Sequence, residues 1–424
     1  MTPKAIDWDE DLPPAEPEEE YQSLVRTLRR TDGFRLLFVE CSPAEGERLI
    51  EKVRADFPQK KVEVLPLDES AYNFYNTIEN LPKRDEINIL FVTGLEYSLY
   101  EYEREKRELG WNSEEIYSYS WRGVPPILIN INQQRERFRD NFNICFVFIL
   151  PRFAVNYFIE RAPDFFDWRS SLFKFSMDQE RLQAESMQAC WERGKIEEYL
   201  ALTPQARKQE LVRIQTLIDE EEQTPDRKFE LLCEQALLYR YAEQYARALA
   251  SYNKALEIKP NYHDAWYNRG NTLYDLGLLE EAIASYDKAL EFKPDDHEIW
   301  YNRGIALSNL GRLEEEIASY DKALEIKPDK DEAWYNRGIA LRNLGRLEEA
   351  IASYDKALEI KPDDTSAFYN KACCYALHSQ IDQAIQNLQQ AIYLNPDKYR
   401  EMAKTDSDFD NVRSDVRFQA LIQG

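Results

Sequence analysis

The sequence predicts an α/β N-terminal domain, with an about five-stranded, mostly parallel sheet and helices on both faces, followed by an all-α superhelix of repeats. Two observations lead to this prediction. The first half alternates short apolar runs with amphipathic segments of helix length between Tyr21 and Phe175. The second half repeats an aromatic residue every 34 positions, at Trp266, Trp300, Trp334 and Phe368.

The first twenty residues differ in composition from the rest of the chain. Residues 1–20 contain eight acidic residues and one lysine, with Pro13, Pro14 and Pro17 among them. A segment this acidic cannot bury enough apolar surface to fold by itself. We therefore predict a disordered acidic leader over residues 1–20.

Residues 21–178 are predicted to form the α/β domain. The predicted strands are residues 34–40, 62–67, 87–93, 144–150 and 172–175, which alternate with helices over 21–30, 44–56, 72–81, 132–140 and 153–161. Continuous apolar strands of this kind belong to parallel sheets that helices cover on both faces. An insertion from Tyr97 to Pro126 is predicted to form a charged helix and an aromatic loop over the carboxyl edge of the sheet, where such sheets bind ligands.

The order of these elements resembles a known core. An opening strand and loop, a third strand followed by Glu96, and a fourth strand followed by Arg152 occur in the order found in P-loop NTPases of the STAND and AAA kinds. STAND proteins often join such a core to repeats. The resemblance covers residues 21–178 and rests on element order. It implies a nucleotide site around Ser42, Glu96 and Arg152.

The first loop lacks the residues that bind phosphate. A phosphate-binding loop needs glycines, a lysine and a hydroxyl group, whereas residues 40–48 read Glu-Cys-Ser-Pro-Ala-Glu-Gly-Glu-Arg. Pro43 removes a donor N–H, and three glutamates place negative charge in the loop. We interpret the nucleotide site as vestigial and predict that the protein has no catalytic residue.

Each residue of the vestigial site has a structural alternative. Ser42 is predicted to cap the helix that follows it. Glu96 is either an acid that positions magnesium or water or an exposed loop carboxylate, and Arg152 is either a nucleotide sensor or a surface arginine. With three histidines and no Ser-His-Asp set, Cys-His set or zinc-ligand spacing, the sequence predicts no metal and no cofactor.

The composition excludes several classes of partner. A net charge of −24 and a pI near 4.7 disfavour nucleic acid. The longest apolar run, residues 144–150, is too short to cross a bilayer, and the chain begins without a signal pattern, so we predict a cytoplasmic protein that does not bind membranes. The six cysteines lack CxxC spacing and are predicted to be reduced, mostly buried thiols. The oligomeric state stays open.

Other positions keep the same 34-residue register as the periodic aromatic residue. They are a small residue four positions later, an alanine of the next helix and a proline that ends the unit: Gly270, Gly304, Gly338 and Ala372; Ala289, Ala323, Ala357 and Ala391; Pro294, Pro328, Pro362 and Pro396. This register resembles the tetratricopeptide repeat. With a weaker first copy around Ala236 and Tyr252, it gives about five repeats, 229–262, 263–296, 297–330, 331–364 and 365–398. A helical connector over 179–228 precedes this array of 229–398, and a capping helix over 399–424 follows it.

The residue types within a repeat follow from helix packing. The aromatic and the small residue share one stripe of the first helix, helix A, so glycine or alanine lets the second helix, helix B, approach closely. Gly277, Gly311 and Gly345 stand where helix A ends, in a position that favours a left-handed backbone. Glu316 departs from the pattern, because alanine fills its slot in three other copies. We expect Glu316 to crowd the helix pair or to extend outward.

The resemblance implies a concave partner-binding groove lined by helix A. The corresponding positions in this chain are Tyr267, Asn268, Asn271, Tyr301, Asn302, Ile305, Tyr335, Asn336, Ile339, Tyr369 and Asn370. Asparagine amides can hold the backbone of an extended peptide, and tyrosines offer rigid stacking area. With Asp264, Glu298 and Glu332 nearby, the groove favours a peptide or helix of basic or aromatic character. Recent duplication without one selected ligand also explains the likeness of the repeats.

These features predict a non-enzymatic protein-protein interaction scaffold or sensor that contains an inactive NTPase-like domain. The alternative is a STAND-like nucleotide-regulated switch with a divergent NTP site. A weaker alternative is a chaperone-type adaptor, in which lysine and arginine side chains of the groove clamp a C-terminal carboxylate. The groove positions of this chain carry tyrosine, asparagine and acids instead, which disfavours that clamp.

Overall fold

The computed structural model describes residues 17–67, 73–99, 125–175, 177, 179–191, 196–220 and 222–423. The chain forms two compact units, of which the first ends at Leu238 and the second begins at Tyr239. Most of the predicted leader and most of the predicted insertion between Tyr97 and Pro126 lie outside the described residues. Among the helices that are described, none combines the length and the apolar character needed to cross a bilayer.

The first unit contains a sheet of five parallel strands in the spatial order β2-β3-β4-β1-β5. The strands are β1 Arg35–Glu40, β2 Val62–Pro66, β3 Ile89–Thr93, β4 Cys145–Leu150 and β5 Ser171–Lys174. The helices are α1 Pro17–Arg29, α2 Pro43–Asp56, α3 Phe74–Glu79, α4 Pro126–Asn141, α5 Arg152–Arg161 and α6 Pro163–Phe166. The predicted parallel sheet is confirmed.

Side chains of β1 belong alternately to two apolar clusters. Leu36 and Phe38 lie in a cluster with side chains of α3, α4 and α5, whereas Leu37 and Val39 lie in a second cluster with side chains of α1 and α2. Successive residues of a strand point to opposite faces of the sheet. Helices therefore cover both faces, which is why the strands read as continuous apolar runs in the sequence.

Two helices begin earlier than predicted. Helix α1 starts at Pro17, inside the segment predicted as leader, and Glu18, Glu19 and Glu20 occupy its first turn, where negative charge stabilises a helix. Helix α4 starts at Pro126, six residues before the predicted start at residue 132. Proline is well suited to the first turn of a helix because its missing N–H has no partner there.

The rest of the chain is helical, which confirms the all-α prediction for the C-terminal region. Helices α7 Gln179–Trp191, α8 Ile196–Ala201, α9 Pro204–Asp219 and α10 Pro225–Tyr241 follow the sheet. Helix B of the first repeat is α11 Tyr245–Ile258. The next four repeats pair helix A with helix B as α12 His263–Asp275 and α13 Leu279–Phe292, α14 His297–Asn309 and α15 Leu313–Ile326, α16 Asp331–Asn343 and α17 Leu347–Ile360, and α18 Thr365–Leu377 and α19 Ile381–Leu394. Helix α20 Pro396–Thr405, a 3-10 helix Ser407–Phe409 and α21 Val416–Gln423 follow the repeats.

The small residue of helix A packs against a tyrosine of helix B. A Cβ atom added at Gly304 would lie 2.5 Å from Cε1 of Tyr320, and the same close approach joins Gly338 to Tyr354. Atoms cannot approach so closely, so these glycines set the spacing of the two helices. The last repeat carries Ala372 and Leu388 at these positions, and both lie in one apolar cluster.

A periodic arginine joins three successive helices. Arg303 of α14 donates to Asp287 of α13 at 2.7 Å and to the hydroxyl of Ser319 of α15 at 2.7 Å. Arg337 repeats the arrangement one unit later. Each such arginine therefore ties a repeat to the preceding one and also ties its own two helices together.

Glu316 is buried, with 1% of its surface exposed. The expectation that it extends outward is wrong. Burial raises the pKa of its carboxyl group, and the neighbouring Ser308 and Tyr320 hydroxyls oppose that shift. The neighbouring repeats carry Tyr274 and Arg342 where this repeat has Ser308, so a small residue on helix A accompanies the larger residue on helix B.

Candidate partner-binding face

Hydrogen bonds between asparagine and tyrosine link successive A helices. The Nδ2 group of Asn302 donates to the hydroxyl of Tyr267 at 2.8 Å, and Asn336 donates to Tyr301 at 3.1 Å. Asn370 continues the series by donating to Tyr335 at 2.9 Å. We call this surface, formed by Tyr267, Tyr301 and Tyr335 with Asn302, Asn336 and Asn370, the Tyr–Asn face. The structure thus joins six of the eleven residues predicted to line one groove in a single series of hydrogen bonds.

The asparagines of this face already use part of their hydrogen-bonding capacity. Asn302 also donates to Oδ1 of Asn271 at 3.3 Å. An amide has two N–H donors and one carbonyl acceptor, so its carbonyl is the group left to meet a ligand. The internal bonds orient each tyrosine ring before any ligand arrives.

A second layer lies beside the tyrosines and changes along the repeats. Asn271 accepts a hydrogen bond from the buried Tyr286 at 2.8 Å. Ile305 and Ile339 occupy the equivalent positions of the next two repeats and are half-buried. The hydroxyl of Tyr354, which faces this layer in the fourth repeat, is buried without a partner in the part of the chain that the structure describes.

Replacing Tyr354 with phenylalanine is expected to leave the free energy of unfolding unchanged or to raise it by up to about 1 kcal/mol, because a buried hydroxyl without a partner destabilises the fold. Tyr286→Phe is the matched control and is expected to cost about 1 kcal/mol, since it loses the bond to Asn271. Thermal unfolding of both variants measures the difference. Equal losses would show that the Tyr354 hydroxyl has a partner.

Tyr369 does not belong to the accessible part of this face. It is 4% exposed, its hydroxyl donates to Asp406 at 2.7 Å, and its ring lies 5.0 Å from that of Tyr399 and 5.7 Å from that of Phe409. The prediction that Tyr369 lines a groove is therefore wrong. The segment after the last repeat covers it.

Charge and burial set the character of the tyrosines. Burial raises the pKa of Tyr267, Tyr301 and Tyr335, and nearby carboxylates raise it further. These hydroxyls therefore stay protonated at neutral pH. The side chains of Asp264 and Glu298 are 54% and 45% exposed, so the face combines aromatic rings with accessible negative charge.

The predicted vestigial nucleotide site lies at the carboxyl ends of neighbouring strands. Ser42 follows β1, Glu96 follows β3 and Arg152 follows β4. The hydroxyl of Ser42 accepts a hydrogen bond from the N–H of Glu45 at 3.2 Å, so the predicted helix cap is confirmed. Arg152 is exposed at the start of α5.

Glu96 is buried, with 4% of its surface exposed, so its interpretation as an exposed loop carboxylate is wrong. Its carboxylate accepts hydrogen bonds from the backbone of Gly94 and of Glu96 itself, and burial raises its pKa to about 7. Its Oε2 atom has no hydrogen-bond partner among the described residues. Burial and the carboxylates of Glu45 and Glu96 also raise the pKa of the Cys41 thiol.

This edge of the sheet has little in common with a phosphate cradle. Pro43 is the first residue of α2, and Glu45 forms an ion pair with Arg181 of α7. Ser42 is 3% exposed. The described residues thus present a capped helix start, a protonatable carboxyl group and a buried thiol.

One residue of the repeat face was missed by sequence reasoning. Lys330 stands where the neighbouring repeats carry Asp296 and Asp364. Its Nζ atom lies 4.4 Å from the ring centroid of Tyr301 and 2.8 Å from Oε1 of Glu298. A lysine in a register position that both neighbouring repeats fill with aspartate is the sequence signal that marks it.

The six cysteines are free in this structure and all are buried, which confirms their predicted burial. Among the described residues, Cys373, Asp406 and Asp408 lie close enough together to hold a metal ion. Asp408 is ion-paired with Arg342 and Asp406 accepts from Tyr369. These acids therefore serve the packing of the C-terminal segment.

Fold and face together define the class of protein: a parallel α/β unit followed in the chain by helical repeats with a repeated surface. The repeats themselves are tetratricopeptide repeats. Family models described as TPR repeat match residues 236–277, 270–311 and 309–345, and models described as tetratricopeptide repeat match residues 331–364 and 353–386. No curated protein matches the chain.

Solved structures resemble part of the chain. YrrB, described as a TPR protein with an unusual peptide-binding site, is 27% identical with a TM-score of 0.41, and the match covers 46% of this chain and 98% of YrrB. A crystal structure of MamA is 24% identical with a TM-score of 0.37, covering 38% of this chain and 95% of MamA. MamA from Desulfovibrio magneticus RS-1, from residue 41 to its end, is 20% identical with a TM-score of 0.37 and covers 45% and 99% of the two chains.

Proposed function

We propose that this protein is a non-enzymatic interaction scaffold whose Tyr–Asn face binds an extended or helical segment of a partner protein with basic or aromatic character. One observation carries the proposal. Three tyrosine rings repeat along the A helices, and each is oriented by an asparagine of the next repeat. A periodic surface of oriented side chains suits a ligand that is itself periodic, as a peptide is.

Preorganisation supports binding at this face. Ordering a side chain on binding costs free energy. The asparagine bonds already hold the tyrosine side chains in place, so less ordering is needed when the ligand binds. Tyrosine supplies contact area with few rotatable bonds. The exposed acids Asp264 and Glu332 and the net charge of −24 favour a cationic ligand.

Selection from a random library of twelve-residue peptides on the full-length protein tests the proposal. Selected peptides should bind the protein and lose binding at least tenfold in the double variant Ile305→Arg, Ile339→Arg, which places bulk and positive charge beside the tyrosines. The double variant Ala318→Arg, Ala352→Arg is the matched control, since both alanines are exposed on helix B. Peptides that respond equally to both variants, or no selected peptide at all, would overturn the proposal.

A second candidate function is a nucleotide-regulated switch in the first unit. Glu96 favours it, because a buried carboxyl group with a pKa of about 7 at the end of a central strand has the character of a general base. Calorimetric titration of ATP with magnesium into the full chain tests it. Binding tighter than about 100 μM that Glu96→Gln weakens would establish the switch. If the titration releases no heat up to millimolar ATP, the switch is ruled out and the interaction scaffold stands as the proposed function.

A further inference from the structure

Lys330 occupies one position of the Tyr–Asn face as if it were a ligand. Its ammonium group lies over the ring of Tyr301, 4.4 Å from the centroid, and contacts the carboxylate of Glu298 at 2.8 Å. The side chain is only 11% exposed. An aromatic face and a carboxylate that converge on one ammonium group form a cation-binding arrangement.

Helix α16 lacks the aspartate cap of the neighbouring repeats, because Lys330 stands at its N-cap position. Asp296 and Asp364, at the equivalent positions, each accept two backbone N–H groups at the starts of α14 and α18. Lys330 precedes α16 without any side-chain cap. Loss of an aspartate cap costs about 1 kcal/mol, and the contacts of Lys330 with Tyr301 and Glu298 offset that loss.

One repeat later the three corresponding register positions carry no lysine or arginine. Tyr335 stands at the position of Tyr301, Glu332 at that of Glu298, and Asp364 at that of Lys330. Burial and the carboxylate of Asp364 raise the pKa of Tyr335. Within the described residues, neither Glu332 nor Asp364 forms an ion pair.

The equivalent position around Tyr267 is less available. Asp296, which stands there in place of Lys330, is ion-paired with Lys293 at 3.0 Å. Asp264, which stands in place of Glu298, has His263 at 3.2 Å. Among the described residues, the position at Tyr335 is therefore the one of the three whose carboxylates form no ion pair.

We propose that Tyr335, Glu332 and Asp364 form a subsite for a lysine or arginine side chain of the partner segment, which takes the place that Lys330 takes at Tyr301. The inference rests on the proposed function and specifies the ligand chemistry of that face. The partner's cation stacks on the Tyr335 ring and pairs with the two carboxylates. Lys330 fills the neighbouring position from within, so the face accepts a cation at Tyr335 and not at Tyr301.

A self-occupying variant tests the subsite. The probe is a fluorescein-labelled decapeptide of alternating arginine and serine, titrated with the full-length protein at about 0.15 M salt and followed by fluorescence anisotropy. Asp364→Lys places a lysine at the position that Lys330 has in the preceding repeat, and we expect a loss of affinity of about tenfold. Asp363→Lys is the control with the same change of charge at an exposed neighbour, and we expect a loss below about twofold.

The reciprocal variant gives a gain of binding. Lys330→Asp restores the aspartate of the neighbouring repeats and leaves Tyr301 and Glu298 without their internal cation. Affinity for the same decapeptide is expected to rise about tenfold, since a second subsite then binds a second arginine. Asp329→Glu, at the exposed neighbouring position, keeps the charge and is expected to bind like the wild type.

The outcomes separate this inference from the proposed function. Equal losses in Asp364→Lys and Asp363→Lys would show that the decapeptide responds to net charge only and would overturn the subsite. Library peptides that depend on Ile305 and Ile339 but contain no selected basic residue would also overturn it, while the interaction face would stand. A tenfold loss of affinity in Asp364→Lys together with a tenfold gain in Lys330→Asp would establish the subsite.

Discussion

Replacing Glu96 with glutamine is expected to stabilise the first unit by about 3 kcal/mol at pH 8 and to leave its stability nearly unchanged near pH 4.5. Burial raises the pKa of this carboxyl group from 4.5 to about 7. Between these two values the native state keeps a proton that the unfolded state releases. The contribution of the protonated Glu96 to the free energy of unfolding is therefore fully present below pH 4.5 and is lost as the pH rises through 7.

Thermal and chemical unfolding between pH 4.5 and pH 8 measure the effect. Glutamine keeps an oxygen that can accept from the N–H of Gly94 but carries no charge, so the variant lacks the penalty at high pH. Glu47→Gln is the control, because Glu47 is an exposed carboxylate on α2. A loss of stability of Glu96→Gln at pH 8 would mean that a cation pairs with the ionised group, which would favour the nucleotide-regulated switch.

Gly304→Ala is expected to lower the free energy of unfolding of the repeats by about 2 kcal/mol. The new Cβ atom would meet Cε1 of Tyr320 at 2.5 Å, and overpacking of this kind costs about 1–3 kcal/mol, beyond the modest gain in helix propensity. The first copy combines Ala236 with Tyr252 in the same register. A repeat can therefore accept an alanine in register with a tyrosine, and we expect a partial loss rather than unfolding.

A double-mutant cycle identifies the cause. Tyr320→Leu should cost less in the Gly304→Ala background than in the wild type, with a coupling of about 1 kcal/mol, because the last repeat already combines Ala372 with Leu388. Ala372→Gly is the control and should cost only the helix propensity of glycine, about 1 kcal/mol. Additive effects at positions 304 and 320 would show that the close approach does not set the helix spacing.

The sequence predicted which positions form the Tyr–Asn face but not the hydrogen bonds that join them. The 34-residue register placed Tyr267, Tyr301 and Tyr335 on equivalent turns of helix A, because helical periodicity is a local property of the chain. Their pairing with the asparagine of the next repeat depends on how neighbouring A helices pack. No spacing within one repeat contains that information.

The sequence by itself determined the parallel sheet, the repeat period, the helix cap of Ser42 and the need for a small residue on helix A where helix B approaches. Each of these depends on a few neighbouring residues or on a regular repeat. Only the tertiary structure decided that Glu96 is buried, that Tyr369 is covered by the C-terminal segment, and that Lys330 fills the position over Tyr301. Burial and ion pairing depend on which distant segment packs against a side chain, and that choice is made by the whole fold.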